Sequence, residues 1–155
     1  MPYTLYKIHH AKGLAYIGRT KQKLGDRLRG HFFKKPMHRF LDIESVTLIE
    51  YAELPTEADM FLYEIYLINA EKPMYNFDDK ARDGLTVSLP PLGFKQWTSP
   101  LMDKWKTEIA RKDFALQQKL KAELASFERK QELKSQRRKG EITDDEYYDR
   151  INQLI

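Results

Sequence analysis

The chain contains no cysteine, which rules out disulfides, cysteine-ligated zinc ribbons, RING modules and cysteine nucleophiles. Histidine is scarce as well: His9, His10, His31 and His38 are the four, and their spacing forms no zinc-binding signature. No apolar run reaches the roughly 18 residues a membrane span requires, and the N-terminus lacks the apolar h-region of a signal peptide. No membrane association and a cytoplasmic location are therefore expected. No recognition helix or zinc finger is legible either.

What is present suits one compact domain with an appendage: 155 residues, 41% hydrophobic and 32% charged. The net charge of +4 is unremarkable, but its distribution is not. Residues 1–41 hold ten Lys/Arg against Asp26 alone, for +9, and residues 42–92 hold three Lys/Arg against eleven acids, for −8. Such a division predicts a basic face on the N-terminal half, as a polyanion's phosphates require. An unevenly charged solvated surface is the plainer reading of the same count.

Period-2 alternation in Tyr3–Ile8 and Leu14–Gly18, around the turn-like Ala11-Lys12-Gly13, predicts an antiparallel hairpin. Leu24, Leu28 and Phe32 recur at four-residue steps, the stripe of a short helix over 23–33. Ser45–Tyr51 reads as a third strand. Thr56 followed by Asp59 at N3 opens a second helix, which should stop before Pro73. The segment 78–100 holds Gly84, Pro90, Pro91, Gly93 and Pro100, making a connection, yet one apolar enough to lie against the core. From Leu101 to about Lys139 a long helix carries Met102, Trp105, Ile109, Leu116, Leu120, Leu124 and Phe127 along one stripe. Gly140 then suits a left-handed cap, and Thr143 with Glu146 is a capping box for a last helix over 144–154. The expected class is α+β: a small three-stranded antiparallel sheet flanked by helices in the order β-β-α-β-α, then a long helix and a terminal helical hairpin. The expected division is residues 1–92 and 93–155.

Several polar residues sit where this pattern calls for packing. Arg27 and His31 share a helix face with Leu24 and Leu28, and Glu64 shares one with Phe61, Ile65 and Ile68. Charges there need neutralising: for Glu64 the candidates are a divalent cation, favoured because hard oxygen ligands suit Mg²⁺ with waters retained, or Arg27. For Arg27, a packed stem with its head in water is the alternative. Tyr6 and Tyr16 fall on neighbouring strands, where an aromatic cross-strand pair is the ordinary use. As acid–base groups they would need help, since a phenol of pKa near 10 is a poor base at neutral pH; Lys7, Arg19 and Arg27 are the cations expected to favour its ionised form.

Taken in order, Thr4-Leu5-Tyr6, Tyr16-Ile17-Gly18, Arg27 within Arg27-Leu28-Arg29-Gly30-His31, Glu64, and Asn76 within Pro73-Met74-Tyr75-Asn76 resemble the GIY-YIG nuclease family over residues 3–77. The first motif departs from the family's, with Thr4-Leu5 in place of Gly-Ile, but removes no functional group. The resemblance implies a metal-dependent endonuclease that hydrolyses DNA phosphodiester bonds to 5′-phosphate products, with RNA less favoured. It implies one Mg²⁺ or Mn²⁺ on Glu64, acting as Lewis acid at the leaving 3′ oxygen, and Tyr16 or Tyr6 as acceptor of the water's proton. Arg27 would hold the phosphate, His31 orient a tyrosine or the water, and Asn76 tie down the loop behind the site. Lys7, Arg19, Lys21, Lys23, Arg29, Lys34, Lys35 and Arg39 are candidate nucleic-acid contacts. Size and lack of cysteine fit a phage-borne, mobile-element or stand-alone bacterial member.

The tail is similar to the short SHOCT hairpin through Lys139-Gly140-Glu141-Ile142-Thr143-Asp144-Asp145-Glu146-Tyr147. Its stripe leaves three uses open: a homodimer or partner-protein contact, a nucleic-acid clamp through the six Lys/Arg of residues 129–139, or packing on the core. The rival reading of the whole chain is a nucleic-acid-binding adaptor that cuts nothing, or cuts only when a partner activates it.

Overall fold

The computed structural model describes residues 2–34, 41–76 and 84–154. They form two compact units, residues 1–106 and 107–155. The first is built on strands β1 (Tyr3–His10), β2 (Gly13–Thr20), β3 (Val46–Leu54) and β4 (Lys95–Gln96) in the order β2-β1-β3-β4, all antiparallel. Helices α1 (Leu24–Phe33) and α2 (Glu57–Glu71) flank the sheet. The expected α+β order is present, with one strand more than the alternation predicted. That strand is two residues of the connection, Lys95 and Gln96, paired with Tyr51 and Glu50.

Alternation along β1 divides the sheet into two faces. Leu5 packs with Ile17, Leu54 and Met60 under α2, with Tyr3, Leu67, Ile68, Leu92 and Phe94 around them. Thr4, Tyr6, Ile8 and His10 point the other way, toward α1, and all four are buried. α2 starts where Thr56 accepts a hydrogen bond from Asp59 N, and it ends at Lys72, held at φ +50 ahead of Pro73. A proline there blocks continuation of the helix.

The segment after α2 returns along β2, the sheet's edge. Met74 N and Tyr75 N donate to Leu14 O and Ala15 O at 3.2 and 2.9 Å, occupying backbone groups that an edge strand otherwise leaves open. On the opposite edge, Trp97 N donates to Ile49 O at 2.8 Å, and the Trp97 ring stacks on Trp105, which is buried.

The long helix α3 (Leu101–Arg138) begins in the first unit and supplies most of the second. Gly140 at φ +73 makes the expected left-handed stop. α4 (Asp144–Asn152) follows a complete Thr143–Glu146 capping box. Arg137 Nε donates to Asp144 Oδ1 at 2.6 Å across the bend, and Leu133 and Tyr147 are buried. Among the described residues no helix is long and apolar enough to cross a membrane.

Candidate active site

Tyr6 lies in the middle strand, directly across from Gly18 on β2 and Tyr51 on β3. Tyr16 is two residues before Gly18, hence on the same face. The two rings close over the glycine: a Cβ at position 18 would stand 2.6 Å from both Tyr16 Cε1 and Tyr6 Oη. Only bare backbone leaves room for both rings, whose centroids are 6.2 Å apart.

α1 covers this pair with residues one turn apart. His31 is 1% exposed; its Nε2 is 2.5 Å from Tyr6 Oη, and its ring meets Tyr16 edge-on at 5.1 Å. Arg27 Nε donates to Tyr6 Oη at 3.2 Å. The same guanidinium acts by its charge on Tyr16, opposing the rise of that phenol. One cation thus bonds one phenol and acts by its charge on the other, a use that helix spacing alone did not reveal.

Burial dominates the electrostatics. It pushes Tyr6 far above the ordinary tyrosine value, with the Tyr16 charge adding to the rise and Arg27 opposing it. Tyr16, only half-buried, is also pushed up by burial, against Arg27 and, more weakly, Arg19. The expectation that basic neighbours would favour phenolate is therefore corrected: the cations act in that direction, but loss of hydration outweighs them. Lys7, one of the expected contributors, points to the other face, where its ammonium binds Glu71 at 2.7 Å and lies over the Phe94 ring.

The Glu64 carboxylate raises both phenols through space, so it lies within electrostatic reach of the cluster. Its bonded partner is Arg19, whose Nε donates to Oε2 at 2.6 Å while the guanidinium lies over the Phe61 ring. Arg19, rather than Arg27, is the basic side chain that neutralises the carboxylate on that helix face. Register across β1 and β2 explains the pairing: Arg19 opposes Leu5, which places it on the α2 side.

Asn76 grips Ile17 from both ends of its side-chain amide. Oδ1 accepts from Ile17 N at 3.0 Å and Nδ2 donates to Ile17 O at 2.8 Å. This fixes the backbone between Tyr16 and Gly18.

Of the remaining basic candidates, Lys21 pairs with Glu57, Arg29 lies over Phe33, and Lys23 and Lys34 are exposed at the two ends of α1. Lys35 and Arg39 lie outside the described residues. Two aromatic residues border the cluster: Tyr51, directly across the strand from Tyr6, and Phe61, whose ring lies under the Arg19 guanidinium.

A family model, the GIY-YIG catalytic domain, matches residues 2–76. That match over residues 2–76 supports membership of the GIY-YIG superfamily. Comparisons with curated proteins and with solved structures found no match. The GIY-YIG match supports a nuclease-type function. It also covers every residue of the cluster, from Tyr6 to Asn76.

Among the described residues, no group of three His, Cys, Asp or Glu could cage a metal. One hard carboxylate, 12% exposed at the side chain and already sharing an oxygen with Arg19, fits a divalent ion that keeps most of its waters and takes a single protein ligand. It does not fit an ion that needs several.

Proposed function

We propose that this GIY-YIG domain is a metal-dependent endonuclease that hydrolyses DNA phosphodiester bonds. The observation that carries the reading is Arg27, whose guanidinium donates to Tyr6 Oη at 3.2 Å and acts by its charge on Tyr16. A phosphate arriving at that guanidinium is brought against Tyr16, the more accessible of the two hydroxyls. Arg27 holds the phosphate and stabilises the charge that develops on it. Tyr16 accepts the proton of the attacking water. Tyr6, fully buried and held by His31 and Arg27, fixes the guanidinium and the imidazole in place. Asn76 keeps β2 in register beneath the reacting groups. Glu64 is the residue that would hold Mg²⁺ or Mn²⁺, which when bound supplies Lewis-acid stabilisation of the leaving oxygen. The test is plasmid nicking with either metal by wild type, Glu64→Ala, Arg27→Ala and Tyr16→Phe; equal cleavage by all four removes the mechanism.

A second reading, a domain whose activity depends on a partner docked on its tail, draws support from α3. Leu116, Leu120, Leu124 and Phe127 are each more than half exposed, a stripe of the kind helical partners cover. A metal-dependent thermal shift in wild type, absent in Glu64→Ala, favours the autonomous enzyme. Its absence in both favours the adaptor.

A further inference from the structure

Next to the phenol cluster, and outside the residues assigned to the chemistry, lies a cavity of about 430 Å³. Its lining includes Tyr51, Trp97, Lys21, Lys23, Glu53 and Thr4. Register ties it to the catalytic face: Tyr51 directly opposes Tyr6, and Glu53 directly opposes Thr4. Thr4 is two residues from Tyr6, about 7 Å along the strand, and Leu24, also in the lining, is one turn of α1 before Arg27.

The chemistry of this lining is specific. Two aromatic rings offer flat apolar surface. Lys23 and Lys21, the latter with its ammonium against Glu57, supply positive charge at the rim, while Glu53 supplies a hydrogen-bond acceptor. A bare anion would gain nothing from the rings and would be opposed by Glu53. A purely apolar ligand would leave the lysines and the carboxylate without function. A ligand with a π face, an edge of N–H donors and an attached phosphate uses all of them: that is a nucleotide with its base unpaired.

Trp97 is built as a firm platform. Its backbone is bonded to Ile49 O, its ring stacks at 20° on buried Trp105, and its Cζ2 lies 3.8 Å from the position a Cβ on Gly25 would take. Two sides of the indole are thus spoken for, and the ring is half-buried rather than enclosed. Trp97 lies beyond the residues matched by the family model.

We infer that the cavity between Tyr51, Trp97 and the first turn of α1 receives an unpaired nucleobase of the strand whose phosphate lies at Arg27, with Lys21 and Lys23 on the flanking phosphate. This rests on the nuclease reading for the identity of the ligand. Base stacking on an aromatic side chain contributes about 1–3 kcal/mol per base, so removing the base or the indole weakens binding about tenfold.

The experiment uses the full chain carrying Glu64→Ala, so that turnover does not interfere, and single-stranded oligonucleotides with one 2-aminopurine or with an abasic site in its place. The expected result is quenching of the 2-aminopurine on binding and about tenfold weaker affinity for the abasic strand. Trp97→Ala removes both differences, and Trp97→Phe retains most of the preference, which separates lost stacking from lost folding. Equal affinity for the two strands, or a preference undiminished in a folded Trp97→Ala, overturns the subsite, as does failure to bind either strand. Because nothing here depends on cleavage, the subsite can fail while wild type still nicks plasmid. Equally, a base preference lost on Trp97→Ala supports the subsite in a protein that nicks nothing.

Discussion

Tyr6 Oη and His31 Nε2 are 2.5 Å apart in a site from which both residues exclude water almost completely. Since Arg27 Nε also donates to that hydroxyl, Tyr6→Phe leaves buried His31 and half-buried Arg27 each short of a partner. The expected cost is about 1–3 kcal/mol in urea unfolding at neutral pH. The pH dependence follows from the raised Tyr6 value. The folded phenol keeps its proton while the unfolded one ionises near pH 10, so this contribution is complete below about pH 10 and is lost as pH rises beyond it. The stability gap between wild type and Tyr6→Phe should therefore narrow above about pH 10; a gap that widens there contradicts the burial argument.

Gly18→Ala tests the close approach of the phenols. The new methyl carbon falls 2.6 Å from Tyr6 Oη and Tyr16 Cε1, and Tyr6 is packed on all sides, so its ring has no easy escape. Overpacking of this kind costs about 1–3 kcal/mol. A lowered melting temperature accompanied by reduced nicking is expected. An unchanged melting temperature means the rings swing aside freely and the cluster is looser than its contacts imply.

The elements were legible wherever one physical signal decided them. Alternation marked β1 and β2, and capping residues marked α2 and α4, with boundaries extended by a residue or two where pairing continued. β4 carried no such signal. Two residues cannot display a period, and their pairing with Glu50 and Tyr51 is a tertiary event. Strand and helix periods put Tyr6 beside Tyr16 and Arg27 beside His31, but the grouping of all four came from the family resemblance. The partner of Glu64 was not legible, because a choice between Arg19, Arg27 and a metal depends on which sheet face each cation occupies, and so on register. The ionisation of the phenols depends on burial, which no local pattern reports.

Asn76→Asp keeps the acceptor for Ile17 N but replaces the Nδ2 donor that reaches Ile17 O at 2.8 Å with a second acceptor. A carbonyl facing a carboxylate oxygen is repelled, so the loss should match or exceed the roughly 1–3 kcal/mol of a broken bond. Chemical denaturation of Asn76→Asp beside Asn76→Ala checks it. An aspartate variant as stable as wild type means the amide does not hold β2.

Glu64→Gln separates the ion from the scaffold. Glutamine keeps the size of the side chain and an oxygen for Arg19 Nε, but not the charge that attracts a divalent ion. Nicking should fall by at least about a hundredfold, a typical contribution of one well-placed electrostatic group, and the Mg²⁺-dependent thermal shift should vanish. Retention of that shift moves the metal to other residues.

The acceptor of the water's proton leaves a trace in the pH–rate profile. Burial raises Tyr16 above the ordinary phenol value, with Arg27 and Arg19 opposing, so at neutral pH only a minor fraction is phenolate. If that fraction carries the reaction, kcat/KM rises about tenfold per pH unit with no plateau below about pH 10. A phosphate bound at Arg27 draws on the same cation that steadies the phenolate, which pushes any plateau in kcat higher still. Hydroxide attack also produces a rising profile, so the deciding comparison is Tyr16→Phe. That variant should lose rate most at high pH if the phenolate is the base, and by a constant factor if Tyr16 only orients the water. A wild-type plateau below about pH 8 assigns the proton to a different group, with His31, against Tyr6 Oη and edge-on to Tyr16, the next candidate.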